Sequence, residues 1–327
     1  MRIAVTGSIA TDHLMNFPGR FTDQLLTDQL DKVSLSFLVD DLEVRRGGVA
    51  ANIAFGLGSL GLNPLLVGAV GNDFAEYRSW LDAHGVNTDE VHVSALRQTA
   101  RFMCTTDEDM NQIASFYTGA MSEAREISLH QVVEHAGALD LVLVSPNDPA
   151  AMLRHTADCR ELGVPFAADP SQQLARLDKA EVRDLVEGAD WLFTNAYESA
   201  LLLERADWER ADVLARVGAW VTTLGADGVR IELRDQDPLR IPAVPTEAVA
   251  EPTGVGDAFR AGFLAGISHR LPAQDAARLG CVLATEALET VGPQEYTLTP
   301  AGLLARLEAG YGAEAARGIA PVLQPLS

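Results

Sequence analysis

The stretch EPTGVGDAFRAGF, Glu251 to Phe263, sets Thr253, Gly254 and Gly256 directly before an acid, Asp257, at the entrance to a helical run. Glycine lets the backbone approach a ligand closely, and the first amides of a helix attract anions. An acid aimed at such an anion would repel it, so the two features make sense together only if they act on different atoms. The chemistry this spacing supports is a cradle of Gly254, Val255 and Gly256 amides around an anionic group, with Asp257 taking a proton beside it. A plain helix start, with an acid favourably placed in the first turn, is the alternative the stretch leaves open on its own. No Lys-Ser/Thr follows, as a P-loop would need, and no third glycine completes a dinucleotide fingerprint. Gly-x-Gly-Asp also occurs in intramembrane proteases, but no apolar run here reaches the roughly 18 residues of a membrane span.

The elements that must position this stretch are legible as an alternation. Apolar, β-branched runs at Arg2–Gly7, Pro64–Val70, Asp140–Pro146, Val164–Pro170, Asp190–Asn195 and Ala219–Gly225 read as buried strands. Helical patterns fall between them at Val49–Leu60, Phe74–His84, Pro149–Leu162, Lys179–Glu187 and Tyr197–Arg205, and helices dominate after Pro252. The expected fold is α/β: a three-layer α/β/α arrangement around a mainly parallel sheet. Ligands on such sheets sit beyond the carboxyl ends of the strands, where Ser8, Asp12, Asn147, Asp148, Asp169, Asn195 and Thr223 lie. Lys32–Gly48 and Val91–Gly119 break the alternation with a period of two, and are expected to form a small antiparallel lid sheet from segments at about 10–47 and 90–119 of one 1–327 domain. Phe102, Met103, Ile113, Phe116 and Tyr117 give the lid an apolar face, so a homodimer through the lids is expected.

Composition narrows the function classes. With 25 Lys and Arg against 46 Asp and Glu, the net charge is −21, which disfavours a nucleic-acid partner. Three cysteines far apart, Cys104, Cys159 and Cys281, argue against a disulfide framework or structural zinc and for a reducing, cytoplasmic setting.

PTGVGDAFRAGF resembles the C-terminal signature of the ribokinase-type (PfkB) carbohydrate and nucleoside kinases. The family's glycine pair is matched by RRGGVAANIAFGLGSLG (Arg45–Gly61), its Asn-x-x-Glu motif by Asn195–Glu198, and its Thr-x-Gly-x-x-Gly turn by Thr223–Gly228, all in the family's order. The resemblance covers about Arg2 to Thr290. It implies phosphoryl transfer from ATP, with Asp257 as the base on the acceptor hydroxyl and the Gly254–Gly256 amides as the anion hole. It further implies that Glu198, with Asn195, organises Mg²⁺ through water, and that Thr223, Gly225 and Gly228 border the nucleotide. Glu251 replaces the Asp usual in the family, which puts potassium activation in question. Read without the resemblance, Asn195 is equally a helix cap and Thr223–Gly228 an ordinary turn.

On the acceptor side the resemblance implies that Asp12 holds vicinal sugar hydroxyls, with Gly47, Gly48 and Asn52 close by. Phe102 and Phe116, on adjacent lid strands, are expected to sandwich a flat ring, or else to form the lid core. Gln172 and Gln173 follow a strand end, where amides suit a purine or ribose edge. Together with SIATDHLM, KVSLSFLVDDL and QIASFYTGAMSEAR, these residues are similar to the bacterial adenosine kinases of the family, which implies Ser8, Asp12, Ser36, Gly48, Asn52, Phe102, Phe116, Gln172 and Gln173 around adenosine. A sugar kinase of the same fold and a catalytically silent nucleoside-binding regulator are the rival readings.

Overall fold

Strand β1 (Ile3–Thr6) shows why the apolar runs are continuous. Ile3 and Val5 pack into one hydrophobic cluster, while Ala4 between them packs into another. Strands β8 (Leu141–Val144), β10 (Trp191–Asn195) and β11 (Ala219–Thr223) divide their side chains in the same way. Successive strand residues face opposite sides, so a strand covered on both faces must be apolar throughout. The computed structural model describes residues 1–24 and 36–326.

Among the described residues the main sheet has nine strands, in the order β13-β12-β11-β10-β9-β8-β1-β4-β5. The others are β4 (Leu65–Val70), β5 (Val91–Val93), β9 (Phe166–Ala168), β12 (Val229–Glu232) and β13 (Leu239–Ile241). Neighbours from β11 to β5 run parallel; β12 and β13 turn back antiparallel at the edge. One face is covered by helices including Val49–Ser59, Val255–Ser268 and Ala273–Leu288, the other by helices including Pro149–Leu162 and Lys179–Val186. This is the expected three-layer α/β architecture.

The smaller sheet contains β2 (Ala10–Asn16), β3 (Asp41–Gly47), β6 (Ala100–Thr106) and β7 (Gln112–Tyr117), in the order β3-β2-β6-β7. Two expectations need correcting. The sheet is mixed, because β2 and β6 pair in parallel: both leave the main body in the same direction. Val91–Val93 joins the main sheet beside β4, where buried Val91 extends the core, so that part of the 90–119 segment is not lid. Residues 25–35 of the expected 10–47 lid segment lie outside the described residues. Among the described residues the expected lid sheet meets the body through four short links: Gly7–Ile9, Gly48, residues 94–99 and the turn at Thr118–Gly119.

Candidate active site

Gly254 caps the Val255–Ser268 helix with φ 79°, a left-handed conformation that suits glycine. A Cβ there would also lie 2.5 Å from Pro293, so the position is closed to side chains. The helix start leaves first-turn amides pointing outward, as an anion hole requires. Of the expected cradle, the Val255 N–H is already directed at Pro252 O, at 3.4 Å. Arg260 reaches back to donate to Gly256 O at 3.0 Å and sets its guanidinium against the Asp169 carboxylate, with Nη2 and Nε each 2.6 Å from an oxygen. A buried cation thus stands directly beneath the proposed cradle.

Asp257, in the first turn, accepts a hydrogen bond from Asn52 Nδ2 at 2.8 Å. Burial pushes its carboxyl up to about 7, while the Asn52 donor and Arg260 pull it down and the Asp169 charge raises it. A carboxyl tuned in this way can accept a proton near neutral pH. The tuning belongs to burial rather than to the helix dipole that the sequence points to.

Several residues expected on the acceptor side lie around the start of the Val49–Ser59 helix. Gly48 has φ 93° and no room for a Cβ, which would lie 2.6 Å from Ser8 O and Ala10 N. Ser8 Oγ accepts from Val49 N at 3.0 Å, so its first role is to hold this turn. The Asp12 carboxylate lies against Gly47, 2.8 Å from where a Cβ would be. Burial and the Glu251 charge raise the Asp12 carboxyl to about 6 against the pull of Arg45. The charges of Asp12 and Asp257 both raise the pKa of buried Tyr77.

Phe102 is the register partner of both Asp12 and Phe116, which puts all three on one face of the lid. This corrects the expected sandwich: directly opposed residues of an antiparallel pair project to the same side, so the two rings form one platform. Phe116 is half-exposed on that platform. Gln172 and Gln173 share the Ser171–Ala175 turn but diverge; Gln173 is buried, with Oε1 lacking a partner among the described residues, while Gln172 is exposed and accepts from Ser171 Oγ. Ser36 is exposed beyond the outer end of β3, beside Phe37, which packs with Phe17 and Phe21. Strand β3 alone spans about 20 Å, and the structure does not bring Ser36 into the Asp12–Asn52–Asp257 group.

Asn195 and Thr223 are register partners at the adjacent ends of β10 and β11. Asn195 and Glu198 form a reciprocal capping box, each side chain bonding the other's backbone N–H at 2.8 Å. This occupies Glu198 Oε2; Oε1 lies 3.3 Å from Ser171 Oγ, whose proton goes to Gln172 Oε1 at 2.6 Å. The carboxylate, 9 % exposed, therefore keeps lone pairs for a metal-bound water, and the donor set fits Mg²⁺. Gly225 has φ 60° and open space around it, as a nucleotide-bordering turn would. Gly228 has φ 87° but sits 2.1 Å, at its would-be Cβ, from Ile241 O, so its glycine is explained by the packing of the β11–β12 hairpin on β13.

The sequence profile described as pfkB family carbohydrate kinase matches residues 6–300. The chain belongs to the PfkB family. Among solved structures, a nucleoside kinase of Burkholderia thailandensis in complex with inosine superposes with a TM-score of 0.82 at 36% identity, covering 95% of this chain and 98% of that one. The nucleoside kinase of Methanocaldococcus jannaschii is 27% identical over 309 residues, 94% of this chain and 97% of its own. A ribokinase from Thermotoga maritima, at 19% identity and TM-score 0.77, shares the fold.

Within this PfkB member, several pairings around the site escape the sequence reading. Asp169 stands at a strand end, and Arg260 lies three residues beyond Asp257; only the fold shows that they pair. Arg45 on lid strand β3 bonds Glu251 Oε2 at 2.5 Å, and Gly292 N donates to the same oxygen at 3.0 Å. The acid that departs from the family pattern is thus held by a cation of the chain itself. Gln294 and Tyr77, behind Asn52, carry no motif signal at all.

Proposed function

We propose that this chain is an ATP-dependent nucleoside kinase that phosphorylates the 5′-hydroxyl of purine nucleosides, adenosine first among them. The observation that carries the reading is the placement of Asp257. It is bonded to Asn52 near the start of the Val49–Ser59 helix, set in the first turn of its own helix, and backed by the Arg260–Asp169 pair. In the proposed reaction O5′ attacks the γ-phosphorus, its proton passes to Asp257, and the bond to the β-bridging oxygen breaks to give AMP and ADP. Asp12 takes the ribose hydroxyls, and the Phe102–Phe116 platform covers one face of the base. Thr223 and Gly225 border the nucleotide donor, whose terminal phosphate rests on the amides at Gly254–Gly256. Mg²⁺, held through water by Glu198 with Asn195 beside it, would neutralise charge on the phosphates.

Inosine in the Burkholderia relative supports a 6-oxopurine as a second acceptor. The outer lid face exposes Leu42, Val44 and Ile113, which supports a lid-to-lid homodimer. Among the described residues no helix is long and apolar enough to cross a membrane.

An ADP-release assay with adenosine, inosine, cytidine, ribose and fructose tests the reading. Turnover with a purine nucleoside above that with either bare sugar supports it. Efficient turnover of ribose or fructose alone would make the chain a sugar kinase, and nucleoside binding without ADP release would make it a regulator.

A further inference from the structure

Behind the base, a chain of hydrogen bonds runs from Asp257 to the lid hinge. Asn52 Nδ2 donates to Asp257 at 2.8 Å, and Gln294 Nε2 donates to Asn52 Oδ1 at 2.9 Å. The same Gln294 nitrogen bonds Tyr77 Oη, and Tyr77 donates to Gly47 O at 2.9 Å. Asn52, Gln294 and Tyr77 are all buried, with Gln294 only 1% exposed.

The direction of this chain follows from its ends. An ionised carboxylate and a peptide carbonyl both accept only. Tyr77 must therefore spend its proton on Gly47, and Asn52 must present its NH₂ to Asp257 and its oxygen inward. The group between them has to donate twice, and a Gln amide does so while leaving its own oxygen spare. Gln294 Oε1 indeed has no partner among the described residues, which is the cost of this arrangement. An apolar side chain at 294 would remove what fixes the orientation of Asn52, and its oxygen could then turn toward Asp257.

We propose that Gln294 is a positioning residue that locks the Asn52 amide with its NH₂ toward Asp257, so that the base stays ionised and aimed while the lid hinge at Gly47 is tied to the same chain. The role assigned to Asp257 rests on the functional reading above; the orientation of Asn52 does not. The other charged or titratable groups affecting Asp257 are Arg260 on its own helix and Asp169 at the end of β9; Tyr77 and Tyr296, both buried, feel its charge in turn. A substitution at 294 leaves the Arg260–Asp169 pair in place.

The test is a carboxyl ¹³C NMR titration of ligand-free protein labelled at aspartate, with the Asp257 signal assigned by its loss in Asp257→Asn. Gln294→Leu, or Gln294→Met should the leucine variant fold poorly, is expected to raise the Asp257 midpoint by about half to one pH unit. The shift is expected to disappear when the same substitution is made in an Asn52→Ala background, while Tyr77→Phe, which keeps the Gln294–Asn52 bond, should leave the midpoint in place. In turnover, kcat is expected to fall about tenfold with the nucleoside KM within twofold. An unmoved midpoint, or an equal shift without Asn52, overturns the inference. A shifted midpoint in a chain that phosphorylates no nucleoside would leave the inference standing and remove the functional reading.

Discussion

Removing the charge of Asp257 should separate catalysis from stability. Burial holds this carboxyl up from 3.8 to about 7. Folding then favours the protonated form, so the ionised acid costs stability that increases from about pH 4 and levels off above about pH 7. At about 1.4 kcal/mol per pH unit the rise amounts to about 4 kcal/mol at most, and residual solvent contact reduces this to about 2 kcal/mol. Asp257→Asn should therefore raise the denaturation midpoint at pH 8 and leave it little changed at pH 4, when urea unfolding is followed at both values. Turnover should move the other way. One pH unit below the midpoint about a tenth of the base is ionised, so kcat/KM of the parent at pH 6 should be about a tenth of its plateau. The Asn variant should lose at least 100-fold at all pH values while its nucleoside Kd stays within a few-fold. A flat profile from pH 5.5 to 8.5, or an Asn variant with parental turnover, would refute the assignment of the base.

Three further outcomes follow from the geometry. Phe102→Ala should raise the KM for adenosine about fivefold, the equivalent of a lost stacking contact of roughly 1 kcal/mol, with no change in the weak turnover of ribose. Glu198→Gln should raise the Mg²⁺ concentration for half-maximal rate at least fivefold at saturating ATP, measured by magnesium titration of ADP release. Because Arg45 already sits on Glu251, exchanging potassium chloride for tetramethylammonium chloride should alter kcat less than twofold; a tenfold potassium effect would show that another site takes the ion.

The sheet was readable because each strand is covered on both faces and so announces itself as an apolar run, as Ile3–Thr6 and Leu141–Val144 do. The glycines at 48, 225 and 254 were readable for a related reason: a left-handed backbone admits little else, and the residue type records it. Strand direction in the lid was not, because period-two alternation is the same for parallel and antiparallel neighbours; hence the unexpected β2–β6 pairing. The Phe102–Phe116 geometry was lost with it, since register decides whether two rings face or flank each other. Gln294 was invisible because its meaning lies in partners 242 and 217 residues away. Asn195 and Glu198 show the opposite limit: a helix cap and a metal-site motif call for the same residue types, and the capping bonds are made whichever purpose they serve.

The four links between lid and body have a mechanical result. A flap hung from one loop is free to curl, whereas a plate joined to its body at four points is more tightly constrained. Arg45 rides on that plate and grips Glu251, three residues ahead of Gly254. A tilt of the plate would therefore be felt at the loop that leads into the proposed cradle, through this one ion pair.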